Sequence, residues 1–288
     1  MDLRPSSRVV APGVPASTRR LVTRDGVSLS AAFDAPTAGR ADLAFLMVHG
    51  FTGSWARADN RRIAAAFTGR GGVVSVDLRG HGRSAGRSTI GDAEVRDVDA
   101  AIEYAHWLGF EQVVTVGFSM GGSVVLRHAA LSDAGHRPSA VVAVSSAGFW
   151  FYRGTAPMRL LHQVVHSRGG RAFLRSGYGT RVANEPWVPP YPLSPTEAAR
   201  RIAPTPLLVV HGDRDAFFPT EHAEAVVAAA HEGASERGVP DRASYWLEHG
   251  FAHAESATSP ELADRIAQWA AHAVHEGASH GASQPDAS

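Results

Sequence analysis

The chain has 288 residues, 44% of them hydrophobic and 19% charged, which is typical of a globular protein and long enough for one domain with an insertion. Its 28 basic side chains balance its 28 acidic ones, so a polyanionic partner such as nucleic acid is not expected. The absence of cysteine excludes disulfides, a thiolate nucleophile and a cysteine-ligated metal.

The two ends of the chain differ from the rest. Residues 1–18 are rich in Pro, Ser, Ala and Arg without periodicity, so we predict a flexible arm. They lack the apolar core of a secretory signal, and no run of the chain approaches the roughly 18 apolar residues of a membrane-spanning helix. Together with the missing cysteines, this predicts a cytoplasmic location. Residues 277–288 are rich in Gly, Ala and Ser, and we expect a disordered tail.

Between these ends, apolar runs alternate with helical patterns. Two strand patterns, 20–22 and 27–33, flank Asp25-Gly26 and predict an antiparallel hairpin. Further apolar runs predict strands at 43–48, 73–76, 113–116, 140–144, 207–210 and 244–247. Helices are expected at about 59–68, 93–108, 120–131, 220–231 and 260–274. This alternation predicts right-handed crossovers and an α/β fold with a mostly parallel sheet.

Residues 148–200 interrupt the alternation. They are rich in aromatic side chains and proline. Because a structureless loop of about 50 residues is rare in a compact domain, we predict a small helical cap above the carboxyl edge of the sheet. The domain then spans residues 19–276, with its core at 19–147 and 201–276. We expect most of the aromatic residues to hold the cap on the core and a minority to line a pocket.

Residues 117–121 form a Gly-x-Ser-x-Gly pattern centred on Ser119, between a predicted strand and a predicted helix. In such a turn any Cβ at the glycines would collide with the neighbouring strand or helix, and the serine oxygen stands above the sheet. The N–H groups at the start of the helix point to the reacting oxygen. The pattern alone also fits a glycine-rich turn with an inert serine, but its context predicts a nucleophile at Ser119.

With this pattern, the sequence resembles the α/β-hydrolase family, in particular its serine esterase and lipase-like members, over about residues 20–275. Other matching motifs are His49-Gly50-Phe51 and the runs 77–84, 211–215 and 250–253, all at the ends of predicted strands and in the family's order. The resemblance implies a mostly parallel sheet flanked by helices, with a small helical cap. It also implies a triad in the chain order Ser, acid, His.

The base implied by the resemblance is His253, in the loop before the last helix. A neutral imidazole can take the serine proton near pH 7 and later protonate the leaving group. His249 is the nearest competitor. His253 is favoured because the family places a glycine a few residues before its base, and Gly250 occupies that place.

Two carboxylates follow the strand predicted at 207–210. Members of the family read His-Gly-x-x-Asp with a proline a few residues later, which corresponds to Asp215 and Pro219. The resemblance therefore favours Asp215 as the residue that orients the imidazole, and Asp213 as a turn residue.

The resemblance also implies an oxyanion hole made of backbone N–H groups. One belongs to the residue after the nucleophile, Met120, and the other to Phe51 in the loop after the first central strand. His49 is expected to brace that loop. Phe51, Met120 and Trp150 are the predicted substrate-binding residues, and no cofactor or metal is expected.

Several other signals are discounted. Gly80-His81-Gly82 lacks the spacing of a dinucleotide-binding loop. His162 and His166 are four residues apart but lack the glutamate of a zinc hydrolase. Ser145 ends a strand near the expected pocket without an elbow of its own.

The function predicted from these residues is hydrolysis of a carboxylic ester of a small, apolar acyl substrate through an acyl-enzyme. A thioesterase, a serine peptidase, a C–C bond hydrolase and a perhydrolase remain alternatives, because the core motifs are shared among them. A serine rather than an aspartate at the elbow argues against hydrolases that attack through a carboxylate. A ligand-binding receptor on the same scaffold is the alternative outside enzymes.

Overall fold

One eight-stranded sheet carries the site. The computed structural model describes residues 17–281, and within them the strand order is β1-β2-β4-β3-β5-β6-β7-β8. The strands are β1 Ser17–Val22, β2 Ser28–Asp34, β3 Leu43–Val48, β4 Gly72–Asp77, β5 Gln112–Phe118, β6 Ala140–Val144, β7 Leu207–Gly212 and β8 Ala243–Glu248. β2 pairs antiparallel with β1 and β4, and the remaining neighbours are parallel. The predicted mostly parallel sheet is confirmed.

Helices cover both faces of this sheet. They are α1 Ala58–Phe67, α2 Val95–Trp107, α3 Met120–Leu131, α4 Ala156–His166, α5 Arg168–Tyr178, α6 Pro195–Ala199, α7 Glu221–Arg237, α8 Ala254–Ala257 and α9 Pro260–Gly281. Within residues 17–281, no helix has both the length and the apolar character needed to cross a membrane.

The two faces explain the continuous apolar runs of the strands. In β3, Ala44 and Leu46 pack in the core cluster that contains α2, α3 and α7, while Leu43 and Phe45 pack in the cluster with α1 and α9. Since successive side chains of a strand point to opposite faces, a strand covered on both sides is expected to be apolar at most positions.

The ends of the chain differ from their predictions. β1 begins at Ser17, so the last two residues of the predicted arm pair with β2, and residues 1–16 lie outside the described part. α9 was expected to end near residue 274 but continues to Gly281, so 277–281, predicted to belong to a disordered tail, are helical. Residues 282–288 lie outside the described part.

The predicted cap segment contains α4, α5 and α6. α5 begins at Ser167, whose hydroxyl accepts the Gly170 N–H, and ends at Gly179, whose φ of 67° is left-handed. α4 and α5 pack together, whereas α6 packs on α3 and α7 of the core. The cap proper is therefore formed by α4 and α5, and α6 belongs to the helical layer beneath it.

Candidate active site

Ser119 sits on the predicted turn between β5 and α3. Its backbone has a φ of 51° and a ψ of −117°, a conformation that side-chain-bearing residues rarely adopt. A Cβ at Gly117 would collide with the backbone of Gly121, and a Cβ at Gly121 would collide with that of Val48. The two glycines therefore allow the tight strand-to-helix crossing that lifts Ser119 above the carboxyl edge of the sheet.

His253 links Ser119 to Asp215. The Nε2 atom of His253 lies 2.9 Å from the Oγ of Ser119, and its Nδ1 atom lies 2.7 Å from Oδ2 of Asp215. These distances suit an imidazole that accepts the serine proton on Nε2 while its Nδ1–H donates to the carboxylate. The structure thus brings together the three predicted catalytic residues from three different loops.

The carboxylate of Asp215 is held in place from several sides. Its side chain is 0% exposed, and Oδ1 accepts the backbone N–H groups of Phe217 at 2.8 Å and Phe218 at 3.1 Å. Burial raises the pKa of Asp215, but the hydrogen bond and charge of His253 and the two N–H groups outweigh it, so the pKa lies below its ordinary value. An ionised Asp215 can fix the tautomer of His253 and stabilise its cation.

The two competing candidates pair with each other instead. His249 Nδ1 lies 3.0 Å from Oδ2 of Asp213, and Oδ1 of Asp213 accepts the Gly250 N–H at 2.7 Å. The His249 side chain is 85% exposed. Asp213 therefore ties the loop after β8 to the loop after β7.

The predicted oxyanion donors face the same space as Ser119. Met120 is the first residue of α3, and Phe51 lies in the loop that follows the end of β3 at Val48. Among the residues that the structure describes, neither backbone N–H donates to a protein acceptor. Both groups are therefore available to an oxygen that develops negative charge.

Three contacts fix the loop that carries Phe51. His49 accepts the Leu78 N–H on Nε2 at 3.1 Å, so its Nδ1–H donates to the Gly50 carbonyl at 2.7 Å. This is the bracing predicted for His49. In addition, the Gly50 N–H donates to Oε1 of Glu255 at 2.7 Å.

A cavity of about 570 Å³ opens above Ser119. Ser119, His253, Phe51 and Met120 line its floor, and Trp150 and other aromatic residues of the cap segment line its walls. The Trp150 Nε1–H donates to the carbonyls of Pro192 and Leu193, each at 3.0 Å, which anchors the ring. The expectation that only a minority of the aromatic residues line a pocket is wrong, because seven of the eight in residues 148–200 line the cavity and Tyr191 does not. Trp150 lines the cavity and also anchors the cap segment.

Sequence reasoning missed two residues that support the site. The Oγ of Ser145, at the end of β6, accepts the Ala254 N–H at 3.0 Å and so positions the residue next to His253. Glu255, two residues after His253, accepts the N–H of Gly50, 205 positions away in the loop that carries Phe51. Only the position of Ser145 at a strand end gave a signal, since an isolated glutamate carries no pattern.

The histidines that the sequence analysis discounted lie side by side in α4. His162 and His166 stack in α4 with ring centroids 5.9 Å apart, and His162 Nε2 lies 3.0 Å from the Tyr152 carbonyl. In the part of the chain that the structure describes, no group of three or more His, Asp or Glu side chains is arranged to hold a metal ion.

The sheet order and the serine on a strand–helix turn are the arrangement of α/β hydrolases. The profile of the alpha/beta hydrolase family matches residues 45–287, and the chain therefore belongs to this family.

Solved esterases share the fold. Esterase Pf2001 from Pyrococcus furiosus superposes with a TM-score of 0.66 at 18% identity, covering 90% of this chain and 92% of that chain. Esterase RhEst1 from Rhodococcus sp. ECU1013 superposes with a TM-score of 0.62 at 21% identity, covering 88% and 98%. At such identities the likeness establishes the fold and leaves the substrate open.

A shorter match connects the chain to a non-heme haloperoxidase from Rhodococcus erythropolis. The two are 44% identical over 70 residues, which are 24% of this chain and 25% of that protein. The chain thus spans about a quarter of the length of the curated relative that it matches.

Proposed function

We propose that the protein is a serine hydrolase that cleaves a carboxylic ester through an acyl-enzyme. The observation that carries the proposal is the hydrogen-bonded relay from Ser119 through His253 to Asp215, at 2.9 Å and 2.7 Å, which opens on an apolar-walled cavity. The likeness to two esterases supports the choice of an ester.

Acylation begins when the Oγ of Ser119 attacks the ester carbonyl. His253 Nε2 takes the hydroxyl proton, and the resulting cation is stabilised by Asp215. The carbonyl oxygen becomes an oxyanion that accepts hydrogen bonds from the backbone N–H groups of Phe51 and Met120. When the tetrahedral intermediate collapses, the bond to the leaving alcohol breaks and His253 returns its proton to the alcohol oxygen.

Deacylation repeats these steps with water. His253 takes a proton from a water molecule that attacks the acyl carbonyl, the same N–H groups hold the oxyanion, and the Ser119 oxygen leaves with the proton from His253. No cofactor takes part in this scheme. Trp150 and Phe51 are the proposed contacts for the apolar part of the substrate.

The test is hydrolysis of p-nitrophenyl esters of increasing acyl length, together with the matching thioesters. We expect turnover of esters by the wild-type protein and loss of at least about 10³-fold in Ser119→Ala. Ser132→Ala, at the far end of α3, is the matched control. Equal rates for wild type and Ser119→Ala would reject the proposal, and faster turnover of thioesters would change the substrate class.

Perhydrolysis is a second candidate, favoured by the segment similar to a non-heme haloperoxidase. The acyl-enzyme would be attacked by hydrogen peroxide instead of water, releasing a peracid and free Ser119. A peracid oxidises halide to hypohalous acid and becomes the carboxylic acid. Halogenation of monochlorodimedone with acetate, hydrogen peroxide and bromide, lost in Ser119→Ala, is the result that would support this activity.

A further inference from the structure

Positive charge is concentrated in the cap. Residues 148–184 contain six arginines and no Asp or Glu, although the whole chain has 28 basic and 28 acidic residues. The six are Arg153, Arg159, Arg168, Arg171, Arg175 and Arg181. A neutral protein with one acid-free segment of this length presents a local cationic surface.

The charge of the cap is not compensated within the protein. In residues 17–281, none of the six arginines forms an ion pair, whereas core arginines such as Arg79 and Arg127 pair with aspartates. Arg159 and Arg171 donate to main-chain carbonyls instead. Burial, followed by the charge of Arg153, lowers the pKa of His162, in keeping with a cationic surrounding.

The whole cap segment, residues 148–200, exposes most of the large apolar side chains. Of the eleven that are exposed among the described residues, seven lie in residues 148–200. Leu160 of α4 is 61% exposed and Phe173 of α5 is 58% exposed. Both also line the cavity, as do three more of the seven, so exposed apolar side chains continue from the surface into the cavity. Apolar side chains grouped in this way on a protein surface mark an interaction site.

We propose that α4 and α5 dock on an anionic lipid surface. We call the exposed side chains of Arg168, Arg175, Leu160 and Phe173 the docking face. Arginines attract acidic headgroups, and neighbouring apolar side chains enter the boundary between headgroups and acyl chains. A surface fits better than a soluble anion, because Arg168 and Arg175 are exposed and do not line the cavity.

Docking would place the mouth of the cavity against the lipid. An apolar substrate dissolved in the bilayer could then reach Ser119 without crossing water. This consequence rests on the proposed function, but the docking itself does not, and it can be measured without turnover.

The experiment is sedimentation of the Ser119→Ala protein with vesicles. We expect binding to vesicles of equimolar phosphatidylcholine and phosphatidylglycerol, and little to vesicles of phosphatidylcholine alone. The double variant Arg168→Glu with Arg175→Glu should lower the partition coefficient at least about tenfold. Arg137→Glu with Arg201→Glu changes the net charge equally at exposed sites outside the cap, and it should keep binding.

The apolar part of the face is tested in the same way. Leu160→Ser should weaken binding, while Val22→Ser should not, although Val22 on β1 is 65% exposed. Unchanged melting temperatures show that the variants are folded. The proposal would be overturned by equal binding to both kinds of vesicle, by binding to neither, or by equal losses in the two charge variants. It would also be overturned if the protein bound polyglutamate, used as an acidic polypeptide probe, and did not bind vesicles. Because every protein in the series carries Ser119→Ala, failure of the ester assay would leave this result untouched.

Discussion

The two sides of the cavity are built by different means. On the sheet side, Ser119, His253 and Asp215 are joined by hydrogen bonds of 2.9 Å and 2.7 Å, and glycines bring their loops into close contact. On the cap side, α4 and α5 rest on two small apolar clusters, and their arginines have no carboxylate partners among the described residues. Under the proposed function, the sheet side carries out the reaction and the cap side controls what reaches it.

The largest expected effect on the sheet side comes from substituting its two candidate histidines one at a time. His253→Ala should lower kcat/KM for a p-nitrophenyl ester by about 10³-fold or more, because the serine loses its base. His249→Ala should leave kcat/KM close to wild type, since the His249 side chain is exposed and its ring pairs with Asp213 instead of Ser119. Similar losses in the two variants, measured by steady-state kinetics, would show that the base has been misplaced.

The two aspartates provide a matched pair. Asp215→Asn should lower kcat by about 10²–10⁴-fold, because an amide cannot stabilise the imidazole cation or fix its tautomer. Asp213→Asn should change kcat little and cost some thermal stability, because Asp213 holds the Gly250 N–H. A large kcat effect in Asp213→Asn would contradict the assignment of roles.

Two buried imidazoles predict a pH dependence of stability. Burial, followed by the charge of His211, lowers the pKa of His222 from 6.5 to about 4, and His222 accepts the Gly148 N–H at the start of the cap segment. Burial, followed by the charge of His49, likewise lowers the pKa of His81 to about 3. Between pH 6.5 and 4 these two histidines are therefore protonated in the unfolded chain but remain neutral in the folded protein. The free energy of unfolding consequently decreases as the pH falls.

The expected loss is about 2 kcal/mol per histidine in the free energy of unfolding between pH 7 and pH 5. Guanidinium denaturation at both pH values measures it. In His222→Asn, the amide oxygen of the new side chain can replace Nδ1 as the acceptor of the Gly148 N–H. The loss in the free energy of unfolding between pH 7 and pH 5 should then be smaller by the contribution of His222. An unchanged pH slope in this variant would mean that His222 is not protonated on unfolding.

Glu255 carries the smallest predicted effect. Glu255→Ala removes the acceptor of the Gly50 N–H and should lower kcat by about tenfold with little change in KM, because the Phe51 N–H loses its alignment. Glu255→Gln keeps an acceptor and should recover most of kcat. An increase in KM alone would indicate that Glu255 contacts the ground-state substrate instead.

The sheet side could be predicted from sequence because its constraints are local. A strand covered on both faces is mostly apolar, and an elbow such as the one at Ser119 requires glycine two residues on each side. The contact of Glu255 with Gly50 joins residues 205 positions apart, and the pairing of His249 with Asp213 depends on how two loops meet. Such contacts form only when the fold has assembled, so no local sequence pattern predicts them.

The cap was predicted only as a helical segment, for a related reason. Its aromatic residues alone do not tell which faces of α4 and α5 are covered. Trp150, for example, both lines the cavity and is anchored by two carbonyls of the cap segment. The end of the cap also differs from the predicted boundary at residue 200. The capping box of Ser194 and Glu197 starts α6, and α6 packs on the core.

The most direct test of the central claim is stoichiometric labelling with a fluorophosphonate, followed by mass spectrometry of the modified peptide. The account predicts one label per chain, on Ser119, formed at the rate at which ester turnover is lost. It also predicts that His253→Ala labels far more slowly than His249→Ala. A label on another serine, or full labelling without any ester turnover by the unlabelled protein, would contradict the account.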